Sequence, residues 1–290
     1  MATLEEVMGT MMQWATATEA LAALGAELAL LQAEVDAPPE IVDALRAVTS
    51  AAGLPDLSEL PAPQRAAMLG MVRLFVHQAV DLVDDAGRAP GWTFTDPAIL
   101  DGWGRGSTMV APMIAAAHPD LQQVSTFLDV GTGVGLLAVA AAHVWPDAAI
   151  VGIDPWEPSL ARARTNVSGA GLDDRITLRD QELASLDDVD VYDCAWIPTF
   201  FVGETELEKG IPVALRALQP GGWVVLGLNR TPPIPLAHAT ATLRVVRGGG
   251  TALTTEQAIE LLEEAGYDGV HAFEPPGPAP MELVLGRRPA

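Results

Sequence analysis

Residues 126–142, TFLDVGTGVGLLAVAAA, place an acid and three alternate glycines between an apolar run and a run of helix formers. A glycine-rich turn between a strand and a helix lets backbone approach a ligand closely, and the helix start offers free N–H groups. A dinucleotide site would read G-x-G-x-x-G, with a pyrophosphate on the helix N-terminus. Here the glycines are Gly131, Gly133 and Gly135, and Leu136 holds the place of the third dinucleotide glycine. Asp129 precedes the first glycine by two residues. Its carboxylate repels a pyrophosphate but pairs with an ammonium group, directly or through water. An acid at a strand end inside a core also needs a partner. Further on, the apolar run 149–153 ends at Asp154, where a carboxylate can accept both hydroxyls of a ribose. Adenosine carrying an amino acid satisfies all three requirements.

These residues need a sheet to hold them. From 124 onward short β runs alternate with helical segments: strands at 126–130, 149–153, 175–179, 190–196 and 222–227, and helices at 133–144, 158–170 and 205–218. Such alternation implies parallel strands with helical crossovers, hence three layers. Thr254 and Gln257 form a capping box opening a helix over 254–265. Two last strands, 267–273 and 281–287, are joined by Glu274-Pro275-Pro276-Gly277-Pro278-Ala279-Pro280, too short for a crossover, so this pair should be antiparallel. Residues 1–90 read as helices with apolar faces, including 40–52 and 64–86, and without strands. We expect a helical capping or dimerisation domain at 1–90, a linker and lid at 91–123, and a ligand-binding domain at 124–290.

Composition narrows the chemistry. The 290 residues carry a net charge of −22, and Lys209 is the single lysine. That field repels phosphate backbones and anionic lipid, so neither nucleic acid nor a membrane surface is expected as a partner. The Ala/Leu-rich stretch 15–33 is broken by Glu19 and Glu27, and the first basic residue is Arg46, unlike a secretory signal. A cytoplasmic location is expected. Cys194 is the single cysteine and reads as a small buried hydrophobe; no Cys/His cluster suggests a metal. High alanine with one lysine suggests a GC-rich genome, compatible with bacterial secondary metabolism.

With these motifs the chain resembles the class I S-adenosylmethionine-dependent methyltransferases of the small-molecule type. The resemblance covers 124–288 and rests on D-V-G-T-G-V-G at 129–135, G-I-D-P-W at 152–156, R-D-Q at 179–181, D-V-Y-D-C-A-W at 190–196 and L-Q-P-G-G-W at 218–223. It implies an α/β, Rossmann-like three-layer sandwich with a seven-stranded, mostly parallel sheet whose last strand is antiparallel. It implies S-adenosylmethionine as cofactor and S-adenosylhomocysteine as product. By position, Gly131, Thr132, Gly133 and Gly135 would wrap the methionine part and Asp129 would hold its amino group. Asp154 would bind the ribose, Pro155 and Trp156 would flank adenine, Asp180 and Gln181 would read the adenine edge, and Trp196 and Ile197 would lie beside the reactive methyl.

Methyl transfer from a sulfonium needs an aligned nucleophile, and a base only where the acceptor is protonated. The [DNS]-P-P-[YFW] signature of adenine-N6 and cytosine-N4 enzymes is replaced by Ala195-Trp196-Ile197-Pro198, and Cys194 follows Asp193 rather than a proline. A small organic acceptor, attacking through oxygen or nitrogen in preference to carbon, is therefore expected. Trp92, Phe94, Trp103, Trp196, Phe200 and Phe201 gather where it would sit, and 95–107 reads as a hinge and lid or as an interdomain linker. His238, in a stretch that looks irregular, is the candidate base; its bland alternative is a surface histidine. Two other readings stand beside this one: a non-catalytic cofactor-binding scaffold, and an NAD-dependent oxidoreductase disfavoured by Asp129 and Leu136. The N-terminal helices would cap the pocket, pair in a homodimer, or both.

Overall fold

The computed structural model describes residues 3–33, 36–230, 234–275 and 281–290, together with the backbone but not the side chains of 98 and 99. The proline-rich runs 231–233 and 276–280, the second within the expected last link, lie outside the described residues. The chain divides into two compact units, Met1–Ala86 and Gly87–Ala290.

In the first unit, α1 (Leu4–Ala33), α2 (Pro39–Ala51) and α3 (Ala62–Asp84) pack around Leu28, Leu57 and Leu69. Pro38 and Pro61 stand just before α2 and α3, where a proline costs no helical hydrogen bond. Glu27 is buried on α1 and accepts a 2.7 Å hydrogen bond from Thr49 Oγ1 on α2. Many apolar side chains of this unit stay exposed, among them Met8, Met11, Met12 and Trp14 on α1 and Met71, Phe75 and Val83 on α3. Both α1 and α3 are long and apolar enough to cross a membrane by length and composition.

The second unit is built on one seven-stranded sheet: β1 (Thr126–Val130), β2 (Ala149–Ile153), β3 (Ile176–Arg179), β4 (Tyr192–Pro198), β5 (Leu218–Asn229), β6 (Asp268–Phe273) and β7 (Met281–Arg287). Their order is β3-β2-β1-β4-β5-β7-β6. The first five strands are parallel neighbours, and β7 runs antiparallel to both β5 and β6, as the short last link implies. Alternation sorts the side chains into two cores. Phe127, Cys194, Trp196 and Val225 face one layer, and Leu128, Val130, Ala195, Ile197 and Leu226 face the other. Helices α4 (Pro97–Ser107), α5 (Val110–Ala117), α6 (Leu136–Val144), α7 (Glu157–Gly169), α8 (Glu204–Ala217), α9 (Pro235–Arg247) and α10 (Thr255–Glu264) complete the unit.

Two stretches expected to be irregular are helical. Residues 97–107 form α4 despite Gly102, Gly104 and Gly106, each of which lowers helix propensity by about 1 kcal/mol relative to alanine. Packing explains the middle one: a Cβ on Gly104 would lie 2.2 Å from Val134 Cγ2, so only glycine lets α4 approach the loop after β1 this closely. Likewise His238 lies on α9, which begins at Pro235 and has Gly248 as its C-cap.

Candidate active site

The strand order reverses between β1 and β4, and open α/β sheets bind ligands outside the carboxyl ends of the strands at such a point. The glycine loop stands there. Gly131, Gly133 and Gly135 all have left-handed φ, 65°, 56° and 74°, which is why side-chain-bearing residues would be strained at these places. Thr132 anchors the loop, its N–H donating to Ile153 O at 3.0 Å and its Oγ1 donating to Asp129 Oδ2 at 2.7 Å.

Asp129 is 1% exposed, and its Oδ1 has no hydrogen-bond partner among the described residues. Burial pushes its carboxyl up to about 7, against the opposing Thr132 bond and with a further push from the Asp154 charge. A buried, half-satisfied carboxyl costs free energy unless a partner arrives, and a cation arriving there would restore the ionised form. Asp154, at the end of β2, is also buried; Oδ2 accepts from Gly133 N at 2.9 Å and Oδ1 from Trp156 N at 2.8 Å. Burial raises its carboxyl above the ordinary range, with the Asp180 charge adding to the effect. Each carboxylate oxygen accepts more than one bond, so both keep capacity for a diol.

Around this centre the other expected residues divide. Pro155 is exposed, and half-buried Trp156 donates Nε1–H to Phe94 O at 3.0 Å. Asp180 is exposed just past β3, and Gln181 is half-buried, donating Nε2–H to Ser185 O at 3.0 Å. The side chains of Trp196 and Ile197 alternate into the two cores, with Trp196 lying where a Cβ on Gly227 would be and paired in register with Asp129 beside the switch point. Pro198, which the motifs gave no reason to single out, does reach it: its ring is 3.6 Å from the position of a Cβ on Gly131.

Of the expected aromatic residues, all but Trp196, which lies in the core, form one cluster. Trp92 contacts Phe94, Trp103 and Phe201 edge-to-face at centroid distances of 5.0, 5.6 and 5.3 Å, and Phe201 contacts Trp103 at 5.3 Å and Phe200 at 4.8 Å. The indole Nε1 of Trp103 is buried without a partner among the described residues. Helix α4, which carries Trp103, is fixed to α7 by a bidentate pair from Arg162 to Asp101 at 2.9 and 2.6 Å. Phe200 also lines a cavity of about 310 Å³ with Thr199, Asn229, His238 and Glu282. His238 is exposed and is one of the residues that line this cavity.

Comparison with known proteins agrees with this geometry. Residues 127–222 match the family described as methyltransferase domain. The release factor glutamine methyltransferase of Rhodopirellula baltica is 29% identical over 156 residues, 51% of this chain and 52% of that protein. The chain thus spans about half the length of this curated relative. Among solved structures, the S-adenosylmethionine-dependent methyltransferase SibL has a TM-score of 0.69 at 22% identity, covering 97% of this chain and 99% of its own. Human N-acetylserotonin methyltransferase, solved with S-adenosylmethionine, has a TM-score of 0.71 at 15% identity, with both chains fully covered. Residues 127–222 are thus similar to the methyltransferase-domain family, and the chain shares its fold with S-adenosylmethionine-dependent methyltransferases of known structure.

Proposed function

We propose that the chain moves a methyl group from S-adenosylmethionine to an oxygen or nitrogen of a small organic acceptor. The observation that carries this reading is the buried Asp129 Oδ1 without a partner, set beside three left-handed glycines at the switch point. When bound, S-adenosylmethionine supplies an electrophilic methyl on a sulfonium. Asp129 and Thr132 hold the α-ammonium, with Gly131, Gly133 and Gly135 around the methionine part. Asp154 accepts the ribose hydroxyls on the lone pairs left by Gly133 and Trp156. Pro155 and Trp156 flank the adenine, and Asp180 with the Gln181 backbone meets its edge. Trp103, Phe200 and Phe201 wall the acceptor, exclude water and hold the nucleophile in line, which supplies much of the rate in a displacement. If the nucleophile arrives protonated, an imidazole nitrogen of His238 takes the proton.

The name of the human structural neighbour denotes a small-molecule acceptor, which supports the acceptor class. The net charge of −22 opposes nucleic-acid acceptors. The exposed apolar faces of α1 and α3 support self-association into a homodimer, and a monomeric mass by light scattering would remove that part. The lone, buried Cys194 suits the reducing cytoplasm. The test of turnover is incubation with methyl-labelled S-adenosylmethionine and a panel of phenols, amines and carboxylic acids. Label transfer to a panel member establishes the enzyme, whereas tight cofactor binding without transfer to any member favours a scaffold.

A further inference from the structure

The cavity that Phe200 lines differs in chemistry from the aromatic cluster that Phe200 joins. It begins immediately after Pro198, the residue that flanks Gly131, and is lined by the hydroxyls of Thr199, Thr251 and Thr255, the Asn229 amide, and the carboxylates of Glu256 and Glu282. No arginine or lysine is among its described lining residues. The nearest cation in sequence, Arg230, is paired with Glu274 at 2.9 Å. Glu282 is half-buried on β7; its Oε1 accepts from Thr255 Oγ1 at 2.6 Å, and among the described residues its Oε2 makes no hydrogen bond. Glu256 is held ionised by backbone and Thr254 hydrogen bonds at the start of α10, which lower its carboxyl. Two carboxylates and a row of hydroxyls, with no arginine or lysine and with His238 the one imidazole in the lining, favour a positively charged guest that also donates hydrogen bonds.

We propose that this pocket binds a protonated amine carried by the acceptor, with Glu282 and Glu256 as its counter-ions, while the acceptor's ring lies against Phe200 and Phe201. The assignment rests on the methyltransferase reading above and names the substrate class of that site: an aromatic acceptor bearing an ammonium group. The ammonium then fixes which edge of the ring faces the methyl, which makes Glu282 and Glu256 specificity-determining residues.

The test compares three phenols of one size and different charge: tyramine, 4-ethylphenol and 3-(4-hydroxyphenyl)propanoate. Each is titrated calorimetrically into the full chain, with and without saturating S-adenosylhomocysteine. The proposal expects tyramine to bind roughly tenfold or more tighter than the propanoate, as two partly exposed charge pairs allow, with 4-ethylphenol between them. Glu282→Gln with Glu256→Gln should erase that order, and Glu263→Gln, an exposed change on the same helix but outside the cavity, should leave it. The single change Glu256→Gln, at an exposed position, should shrink the preference without threatening the fold. Equal or better binding of the propanoate, no binding of tyramine, or a preference that survives the double variant would overturn the assignment. Failure of S-adenosylhomocysteine to bind would instead contradict the methyltransferase reading, and the charge order would still be measured in its absence.

Discussion

Asp129 is the residue on which the account turns, because its environment is uncomfortable unless a cation is bound. Its carboxyl is pushed up to about 7 in the folded protein, above the unfolded value near 3.8. The folded state therefore holds its proton more tightly, so this group's contribution to stability is fully present below about pH 4 and is lost as pH rises towards about 7. Asp129→Asn should accordingly raise the melting temperature of the ligand-free protein, with a gain that grows from pH 4 to pH 7 and then levels off. Binding of S-adenosylhomocysteine near pH 6 should release a proton, seen as a dependence of the calorimetric heat on the buffer's own protonation enthalpy. Asp129 was legible in the sequence because an acid at the end of an apolar run has few bland explanations. The burial of Trp196 and Ile197 has an equally physical reason. The central strand β4 is covered on both faces, so alternation sends its last side chains into the two cores and leaves Pro198 beside the loop.

Between residues and molecule lie the contacts that bring α4 to the glycine loop. Gly104→Ala would gain about 1 kcal/mol of helix propensity but places a methyl 2.2 Å from Val134, and overpacking of that kind costs about 1–3 kcal/mol. Urea unfolding should show no net gain, and S-adenosylhomocysteine should bind more weakly because Val134 belongs to the loop. The Asp101–Arg162 pair is partly exposed, at 19% and 38%, so Asp101→Asn should cost no more than about 1 kcal/mol in global stability. Its clearer signature should be faster amide exchange confined to α4 and a raised acceptor KM. Strands β1 and β2 matched the expected ranges to the residue, since apolar runs bounded by turn residues mark both ends. Helix α4 was hidden because its glycines are demanded by packing that no local pattern reports. Helix α9 was hidden because the prolines before it read as loop, although Pro235 sits at a helix start, where proline is tolerated.

At the scale of the whole molecule, the net charge of −22 sets behaviour that no single contact does. Self-repulsion should be relieved by salt, so the melting temperature should rise as ionic strength goes from a few millimolar to about 0.15 M, where the Debye length is about 8 Å. The same field should favour cationic acceptors and weaken their binding as salt increases. The chain divides at Ala86–Gly87, so the stretch 91–123, read from the sequence as a linker and lid, falls within the sheet unit. What covers the exposed methionines and Trp14 of α1 was not legible, because an apolar face looks the same whether it meets a second copy or another surface. The central claim remains that the site takes a nucleoside bearing an ammonium rather than a dinucleotide. It is tested most directly by calorimetric titration of the protein with S-adenosylhomocysteine and with NAD, repeated on Asp129→Asn. Binding of S-adenosylhomocysteine alone is expected, weakened in the variant by roughly tenfold to a hundredfold, the loss of one charge-assisted hydrogen bond worth about 1.5–3 kcal/mol. Binding of NAD, or S-adenosylhomocysteine affinity unchanged in Asp129→Asn, would contradict it.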